Sequence, residues 1–380
     1  MVVIIGGTHH NTLSMVRALG EKDIMTNVIL VGHNQQGSYL LASKYVQRYY
    51  VCESDEEALS ILMEKYNNAT VERTVVIASS DGIASIMDKH YDELKENFLF
   101  FNCCRQGALT YYMDKQVQVS LARECGLIIP QSIKWVVSDN IPLQKQFPCI
   151  VKPLESIHGG KNFKVCNNAT ELFSVLNKYQ KEEVVQIQEY IKRDYEIVVD
   201  GLSLGEEIII PGFVIKLRDS LGGTTYSETR DVSEIPADVV ESIKCIVHKI
   251  EYIGLFGVEL IVSRGQYYFI EINLRNDATT YSVSKAGVNL PFIYYSAMKG
   301  SKCSQDLGSH IVSIKSMVEF RDFDNVLKGK ISLFKWTKQR KSCGCTYFYD
   351  EKDMNPYFAA RKKYYTDKFR TLINKLRLLK

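Results

Sequence analysis

A mixed α/β and α+β architecture is what this sequence predicts: a parallel α/β domain over residues 1–112, two α+β subdomains over 113–190 and 191–325, and a basic extension over 326–380. Three observations point to it. Short β-branched runs alternate with helix-like stretches through the first hundred residues, the texture changes after Met113 to hairpins mixed with helices, and positive charge gathers near the end of the chain.

In the first part, "VVII" (2–5), "NVILVG" (27–32), "YVQRYYV" (45–51), "TVVIASS" (74–80) and "FLFFN" (98–102) read as strands. Between them, "NTLSMVRALG" and "DEEALSILMEKY" carry apolar residues at helical spacing, with Asp55 expected as an N-cap. Strand, helix, strand in that rhythm makes a parallel sheet covered on both faces. The loop after the first strand, "GGTHHN", lacks the second and third glycines of a dinucleotide fingerprint, which argues against nicotinamide binding. His9 and His10 still fall at the carboxyl end of a parallel strand, where such sheets bind ligands, as do Ser80 and Asp81 after the fourth strand. From Met113 follow a helix "MDKQVQVSLARECG", the strand "FPCIVKP", a Gly-containing loop, a helix near 169–180, the strand "VVQIQEYI", the pair "YEIVVDGL" and "EIIIPGFVIKLR", a helix around 236–252, and the strands "GVELIV" and "QYYFIEINL".

Composition bounds the function. At 46% apolar and 24% charged over 380 residues, the chain has the balance of a packed globular protein. A net charge of +3 is too close to neutral for the whole chain to be a polyelectrolyte partner of nucleic acid. Its ten cysteines are scattered, without the paired C-x-x-C knuckles of a zinc site. The start, "MVVIIGG", lacks a basic n-region, and no apolar run approaches the ~18 residues of a membrane span. These features predict a cytoplasmic location and reduced thiols.

The stretch richest in chemistry is "FIEINLRN", 269–276. Strand alternation places Phe269, Glu271, Asn273 and Arg275 on one face and Ile270, Ile272 and Leu274 toward the core. Glu271 and Asn273 then lie roughly 7 Å apart along the strand. Glu259, on the preceding strand, joins them if the connecting turn has an odd number of residues; Gly265 in "SRGQ" permits a three-residue turn, so Glu259 and Glu271 are expected to share a face. Two carboxylates and an amide oxygen, with no His or Cys beside them, suit a hard cation such as Mg²⁺. The plain alternative is a solvated strand face with an ion pair to Arg275.

Taken with Lys152 in "FPCIVKP", the order "MDKQ", "FPCIVKP", "VQIQEYI", "YEIVVDG", "GVELIV", "YFIEINLRN", "KAGVNLP" resembles the ATP-grasp superfamily over about residues 113–300, with the earlier α/β segment resembling the domain that precedes the grasp. The resemblance implies ATP as substrate and two Mg²⁺ ions, for which Mn²⁺ can substitute. Lys115 and Lys152 would hold phosphate oxygens, and His158, Gly159, Gly160 and Lys161 would form a loop closing over them. Gln188, Glu189, Tyr190 and Ile191 would line the adenine, and Glu196 would take the ribose hydroxyls. Glu259, Glu271 and Asn273 would hold the metal, Lys216 would add a phosphate contact, and Arg275 would face the reacting carboxyl group. Gln188 stands where many members have Glu, and His158 departs from the commoner Ser/Gly-rich loop. The implied activity is carboxylate–amine ligation: a carboxylate takes the γ-phosphoryl group, an amine attacks the acyl phosphate, and an amide, ADP and phosphate leave. Two alternatives stay open: a bicarbonate-using enzyme of the carbamoyl phosphate synthase or carboxylase kind, and a non-catalytic ATP-binding regulatory protein. The substrate pockets are not named by the sequence; Asp277 is expected either to anchor an amine or to cap the next helix.

The last 25 residues, 356–380, hold eight Lys or Arg and one Asp. Phe358, Tyr365, Phe369, Leu372, Leu376 and Leu379 recur at three- and four-residue steps after a longer first gap, which predicts an amphipathic helix. Docking on the domain, contact with the inner face of an anionic membrane, and contact with an acidic polymer are its three possible uses. "DEKDMNPYFAA" resembles the tails of ATP-grasp proteins associated with surface-polysaccharide synthesis, which implies a sugar-linked carboxylate or an amino acid as substrate. A homodimer is left open.

Overall fold

The structure, a computed structural model, describes residues 1–33, 35–67, 72–138, 147–153, 163–220, 223–301 and 310–378. Three sheets organise them. Strands β1 (Val2–Gly6), β2 (Thr26–Val31), β3 (Val46–Cys52), β4 (Thr74–Ala78) and β5 (Phe98–Leu99) form a parallel sheet in the order β3-β2-β1-β4-β5. The order reverses between β1 and β4, so the loops after these two strands border the crevice in which such sheets bind ligands. Ser54, rather than the expected Asp55, caps the helix Asp55–Tyr66: its hydroxyl accepts from the Glu57 N–H at 3.2 Å, while Asp55 lies inside the first turn.

Strands β6 (Ser132–Val136), β7 (Cys149–Pro153), β8 (Lys164–Cys166) and β9 (Val184–Glu189) make a small antiparallel sheet, ordered β6-β9-β7-β8. Strands β10 (Tyr195–Leu204), β11 (Ile208–Ser220), β12 (Gly223–Asp231), β13 (Ile253–Ser263), β14 (Gln266–Asn273), β15 (Ile314–Met317) and β16 (Cys345–Thr346) make the third, ordered β14-β13-β10-β11-β12-β15-β16. One hydrophobic core runs from the parallel sheet into this seven-stranded one, while the small sheet closes a separate core around Val151, Leu172 and Ile187.

The chain after β15 is tied back to the first sheet. Arg17, 0% exposed, donates from Nε to Asp353 (3.0 Å) and from its terminal nitrogens to the carbonyls of Tyr347, Phe348 and Asp353. A buried guanidinium needs this many acceptors, and satisfying them locks 347–353 in place. The expected C-terminal helix is present as Asn355–Leu378, but it docks through a different face from the apolar stripe. Tyr357 stacks on Phe320, Ala360 is buried, and the Tyr364 hydroxyl donates to Asp324 at 2.6 Å. Phe358, Tyr365 and Phe369 of the stripe are 54%, 53% and 64% exposed; the side chains of Leu372, Leu376 and Leu379 lie outside the described residues. No helix among the described residues is long and apolar enough to cross a membrane.

Candidate active site

Glu259 on β13 and Glu271 on β14 are directly opposed, so they do share a face, by a route other than the expected turn. Arg264 and Gly265, at φ 50° and 75°, form a two-residue turn between Ser263 and Gln266. Alone, that turn would put the two glutamates on opposite faces. A bulge at Ile270 restores the phase, because Leu260 opposes Phe269 whereas Glu259 opposes Glu271. The same bulge turns Phe269 into the core, at 1% exposure, instead of onto the face of Glu271 and Asn273 as simple alternation predicts.

Register carries that face across the sheet. Asn273 opposes Gly257, Val198 opposes Glu259, and Glu196 opposes Lys216. Opposed residues of antiparallel strands share a face, so Glu196, Lys216, Glu259, Glu271 and Asn273 project together. Gly257 leaves room for Asp277, since a Cβ at 257 would lie 2.9 Å from that of Asp277.

Ion pairs join these groups. Lys216 Nζ lies 2.6 Å from Glu259 and 3.6 Å from Glu196, and Lys115 Nζ lies 2.8 Å from Glu271. Arg275 donates from Nε to Asp81 at 2.6 Å and from Nη2 to Asn273 Oδ1 at 3.3 Å, so the carboxyl end of the parallel sheet meets the acidic hairpin. Behind the hairpin, the Gln118 side chain exchanges two hydrogen bonds with the Ile272 backbone, at 2.9 and 3.1 Å, which fixes β14 to the helix bearing Lys115.

A cleft of about 520 Å³ opens over this face, lined among others by His9, His10, Asp81, Lys216, Glu259, Glu271, Asn273, Arg275 and Asp277. A similar opening of about 600 Å³, between 232–241 and Tyr267, gathers none of these groups. Lys115, Lys152, Glu196 and the Gln188–Ile191 segment do not line the cleft itself. Lys115 and Glu196 reach it through their ion pairs. Lys152, on β7 of the small sheet, is close enough to Lys115 and Glu271 for their charges to act on it. Gln188 and Glu189 end β9, and Tyr190 and Ile191 begin the link to β10; the Tyr190 N–H donates to the Pro148 carbonyl at 3.2 Å. His158, Gly159 and Gly160 lie outside the described residues.

Burial, then Lys115, lowers the pKa of Lys152, while Glu271 opposes the shift. Glu259 is pushed up by burial, against the pull of Lys216, with Asp277 and Glu271 adding to the rise. Burial works against the charge of Lys216 too, but Glu259 and Glu196 outweigh it and its pKa rises. Glu259 rises chiefly through burial and then through its acidic neighbours, and Lys216 rises because several carboxylates surround one ammonium. A dication relieves that crowding, and two carboxylates with an amide oxygen are the hard donor set Mg²⁺ takes, so the residues fit the ion. Among the described residues, no group of three or more His, Cys, Asp or Glu forms a metal cluster.

The histidines are held neutral. His9 is exposed at the cleft surface yet crowded by surrounding protein, and this partial desolvation, then Arg321 and Arg275, pushes it down to about 4; its Nδ1 accepts from the Asn11 N–H at 3.2 Å. His10 is lowered further by burial and packs edge-on against Tyr347. Asp277 accepts from the Thr279 N–H at 3.0 Å, forming the turn before the next helix. Thr279 Oγ1 lies 2.9 Å from Asp277 and 2.8 Å from Asp200. One hydroxyl thus lies between two carboxylates, and Asp200, fully buried, is pushed well up by burial and then by Asp277. Sequence reading missed Asp200, Thr279, Tyr347 and Arg321; only "NDATTYS" carried a local signal, in its run of hydroxyls after Asp277.

Residues 114–279 match the ATP-grasp domain. The carbamoyl phosphate synthase large chain of Gemmatimonas aurantiaca is 27% identical over 236 residues, 56% of this chain and 21% of that protein. That of Clostridium botulinum is 31% identical over 185 residues, 46% of this chain and 17% of that protein. This chain therefore spans about a fifth of the curated relatives it matches. Among solved structures, N5-carboxyaminoimidazole synthetase from Staphylococcus aureus complexed with ADP superposes with a TM-score of 0.63 at 16% identity, covering 87% of this chain and 85% of that one. Biotin carboxylase from Campylobacter jejuni in its β-γ-ATP complex gives 0.59 at 14% identity, covering 82% and 74%. At these identities the likeness establishes the fold.

Proposed function

Because the chain carries an ATP-grasp domain over residues 114–279, we propose that it is an ATP-dependent carboxylate–amine ligase, forming an amide through an acyl phosphate and releasing ADP and phosphate. The observation that carries this reading is the convergence of opposed Glu259 and Glu271 with Asn273 and Arg275 in one cleft. In this mechanism Lys115 and Lys152 hold phosphate oxygens, and Glu196 and the Gln188–Ile191 segment hold the nucleoside. Glu259, Glu271 and Asn273 hold Mg²⁺, which supplies charge neutralisation for the transferred phosphoryl group. Arg275, oriented by Asp81, stabilises the oxyanion when the amine attacks. The fully exposed test is turnover: purified protein with ATP and Mg²⁺ is assayed for ADP and phosphate against pooled carboxylates, with and without pooled amines. Release that needs both pools and disappears in Glu271→Gln is the expected result; release without any amine rejects amide ligation.

A second reading uses bicarbonate as the carboxylate. It is favoured by the matches to carbamoyl phosphate synthase, N5-carboxyaminoimidazole synthetase and biotin carboxylase. Turnover with bicarbonate alone as the carboxylate distinguishes it.

The exposed stripe of Phe358, Tyr365 and Phe369, with Arg361, Lys362, Lys363 and Arg370 also exposed, supports peripheral contact with an anionic lipid surface. Co-sedimentation with phosphatidylserine vesicles, but not phosphatidylcholine vesicles, and its loss in Phe369→Glu are expected. Equal recovery with both lipids rejects this contact.

A further inference from the structure

The cations lining the cleft are not equivalent. Lys216 and Arg275 each have a carboxylate oxygen 2.6 Å away. Arg321 lines the same cleft and makes no hydrogen bond or ion pair with any described residue. Its position is nevertheless built. The helix that bears it, Glu319–Leu327, is fixed on one side by Asp322, which accepts from Arg218 Nε and Nη2 at 2.9 and 2.6 Å. On the other, Glu319 accepts the backbone N–H groups of Phe348 and Tyr349 at 3.0 and 2.8 Å. Gly223 clears space for the guanidinium, since a Cβ there would lie 2.9 Å from Arg321 Nη2.

The surroundings complete the argument. His9 shares this part of the cleft, is close enough to feel the charge of Arg321, and stays neutral near pH 7, so it brings no competing cation. Thr224 of β12 adds a hydroxyl to the same lining. A half-buried guanidinium that shares its lining with a neutral imidazole and a hydroxyl has donors to spare and no anionic partner among the described residues. Planar oxyanions satisfy that fork through two parallel charge-assisted hydrogen bonds.

We propose that Arg321, with His9, forms an oxyanion subsite, so that one substrate carries a carboxylate or phosphate group in addition to the carboxyl group facing Arg275. The assignment to a substrate rests on the ligase reading; binding of an oxyanion at Arg321 does not. Inorganic phosphate and malonate are therefore titrated calorimetrically into the full chain saturated with ADP and Mg²⁺, which covers the phosphate-binding lysines. The Arg321→Gln variant is expected to bind the preferred probe on the order of tenfold or more weakly, the loss of a charged hydrogen bond, with ADP affinity unchanged. Arg321→Lys is expected to recover part of the affinity, and the tighter probe tells phosphate from carboxylate.

Unchanged probe affinity in Arg321→Gln overturns the subsite, as does failure of both probes to bind the wild-type chain. In turnover, the same variant should raise KM for the doubly anionic substrate and leave KM for ATP alone. Should no substrate pool turn over, the ligase reading falls while the calorimetry still decides the subsite.

Discussion

The seven-stranded and the four-stranded sheets contribute to the same proposed nucleotide site, and they are built to different standards. The larger sheet places Glu259 and Glu271 by strand register, over Val258 and Leu260, both 0% exposed, in a core shared with the parallel sheet. The smaller sheet places Lys152 over a separate cluster, of eight buried residues among those described. It also leaves Ile133, Val136 and Phe173 at 44%, 54% and 41% exposure. Less apolar burial means a lower free energy of local opening. The difference teaches a division of labour: the acidic groups with a fixed mutual geometry stand on the deep core, and the lysine proposed to hold phosphate stands on a sheet with its own smaller core.

The sharpest test is in activity. Glu271→Gln removes charge from the fixed floor and is expected to lower kcat by on the order of 10²–10³, the usual loss of a transition-state electrostatic group. Lys152→Met is expected to cost about tenfold to a hundredfold in kcat/KM, with a rise in the KM for ATP, because a point charge on the less deeply packed sheet would also serve ground-state binding. Steady-state kinetics on both variants checks the order. A larger loss of kcat in Lys152→Met would reverse the assignment of roles.

Stability offers a smaller effect with a clearer spatial readout. Leu255 in β13 and Leu172 in the helix Ala169–Leu176 are both 0% exposed, in different cores. Either truncation to Ala removes about 2–5 kcal/mol. Leu255→Ala should lower the main melting transition, whereas Leu172→Ala should speed hydrogen exchange only across β6–β9 and leave that transition in place. If both shift one transition equally, the two cores are one cooperative unit and the contrast fails.

How much of this was legible in the chain differs in the same way. The parallel sheet was written in its β-branched runs, and the acidic face in the alternation of "FIEINLRN". The bulge at Ile270 was not, because a bulge is a property of a pair of strands and not of one. The two-residue turn was hidden by Arg264, which takes φ 50° where Asn or Asp would have signalled it. Helical periodicity found the C-terminal helix but chose the stripe of Phe358, Tyr365 and Phe369, which stays exposed. The docking face is aromatic and polar, with Lys368 and the Tyr364 hydroxyl both on Asp324. Arg321 was invisible because "EFRDFDN" reads as a solvated charged turn of helix until the fold carries it to His9, more than three hundred positions earlier.

The finest test asks whether the two sheets are electrostatically joined. Lys115 belongs to the helix hydrogen-bonded through Gln118 to β14, and Lys152 belongs to β7, so the repulsion between them crosses from one sheet to the other. Burial and that repulsion lower the pKa of Lys152. In the proposed role the protonated form is the phosphate ligand, so ATP affinity is expected to fall as pH rises through the lowered value, below the ordinary lysine range near 10.4. For stability the sign is opposite: the unfolded chain holds this proton more tightly, so the group costs stability below its folded pKa, and the cost fades as pH rises through it. In a profile of kcat/KM for ATP between about pH 7 and about pH 10, Lys115→Met should lower the amplitude yet move the alkaline limb upward. Glu271→Gln, in whatever residual activity remains, should move it downward, since Glu271 is the charge that raises the value. A limb that stays put in Lys115→Met while the amplitude falls would mean that the lysines act independently, and that the small sheet contributes Lys152 without any electrostatic hold from the larger one.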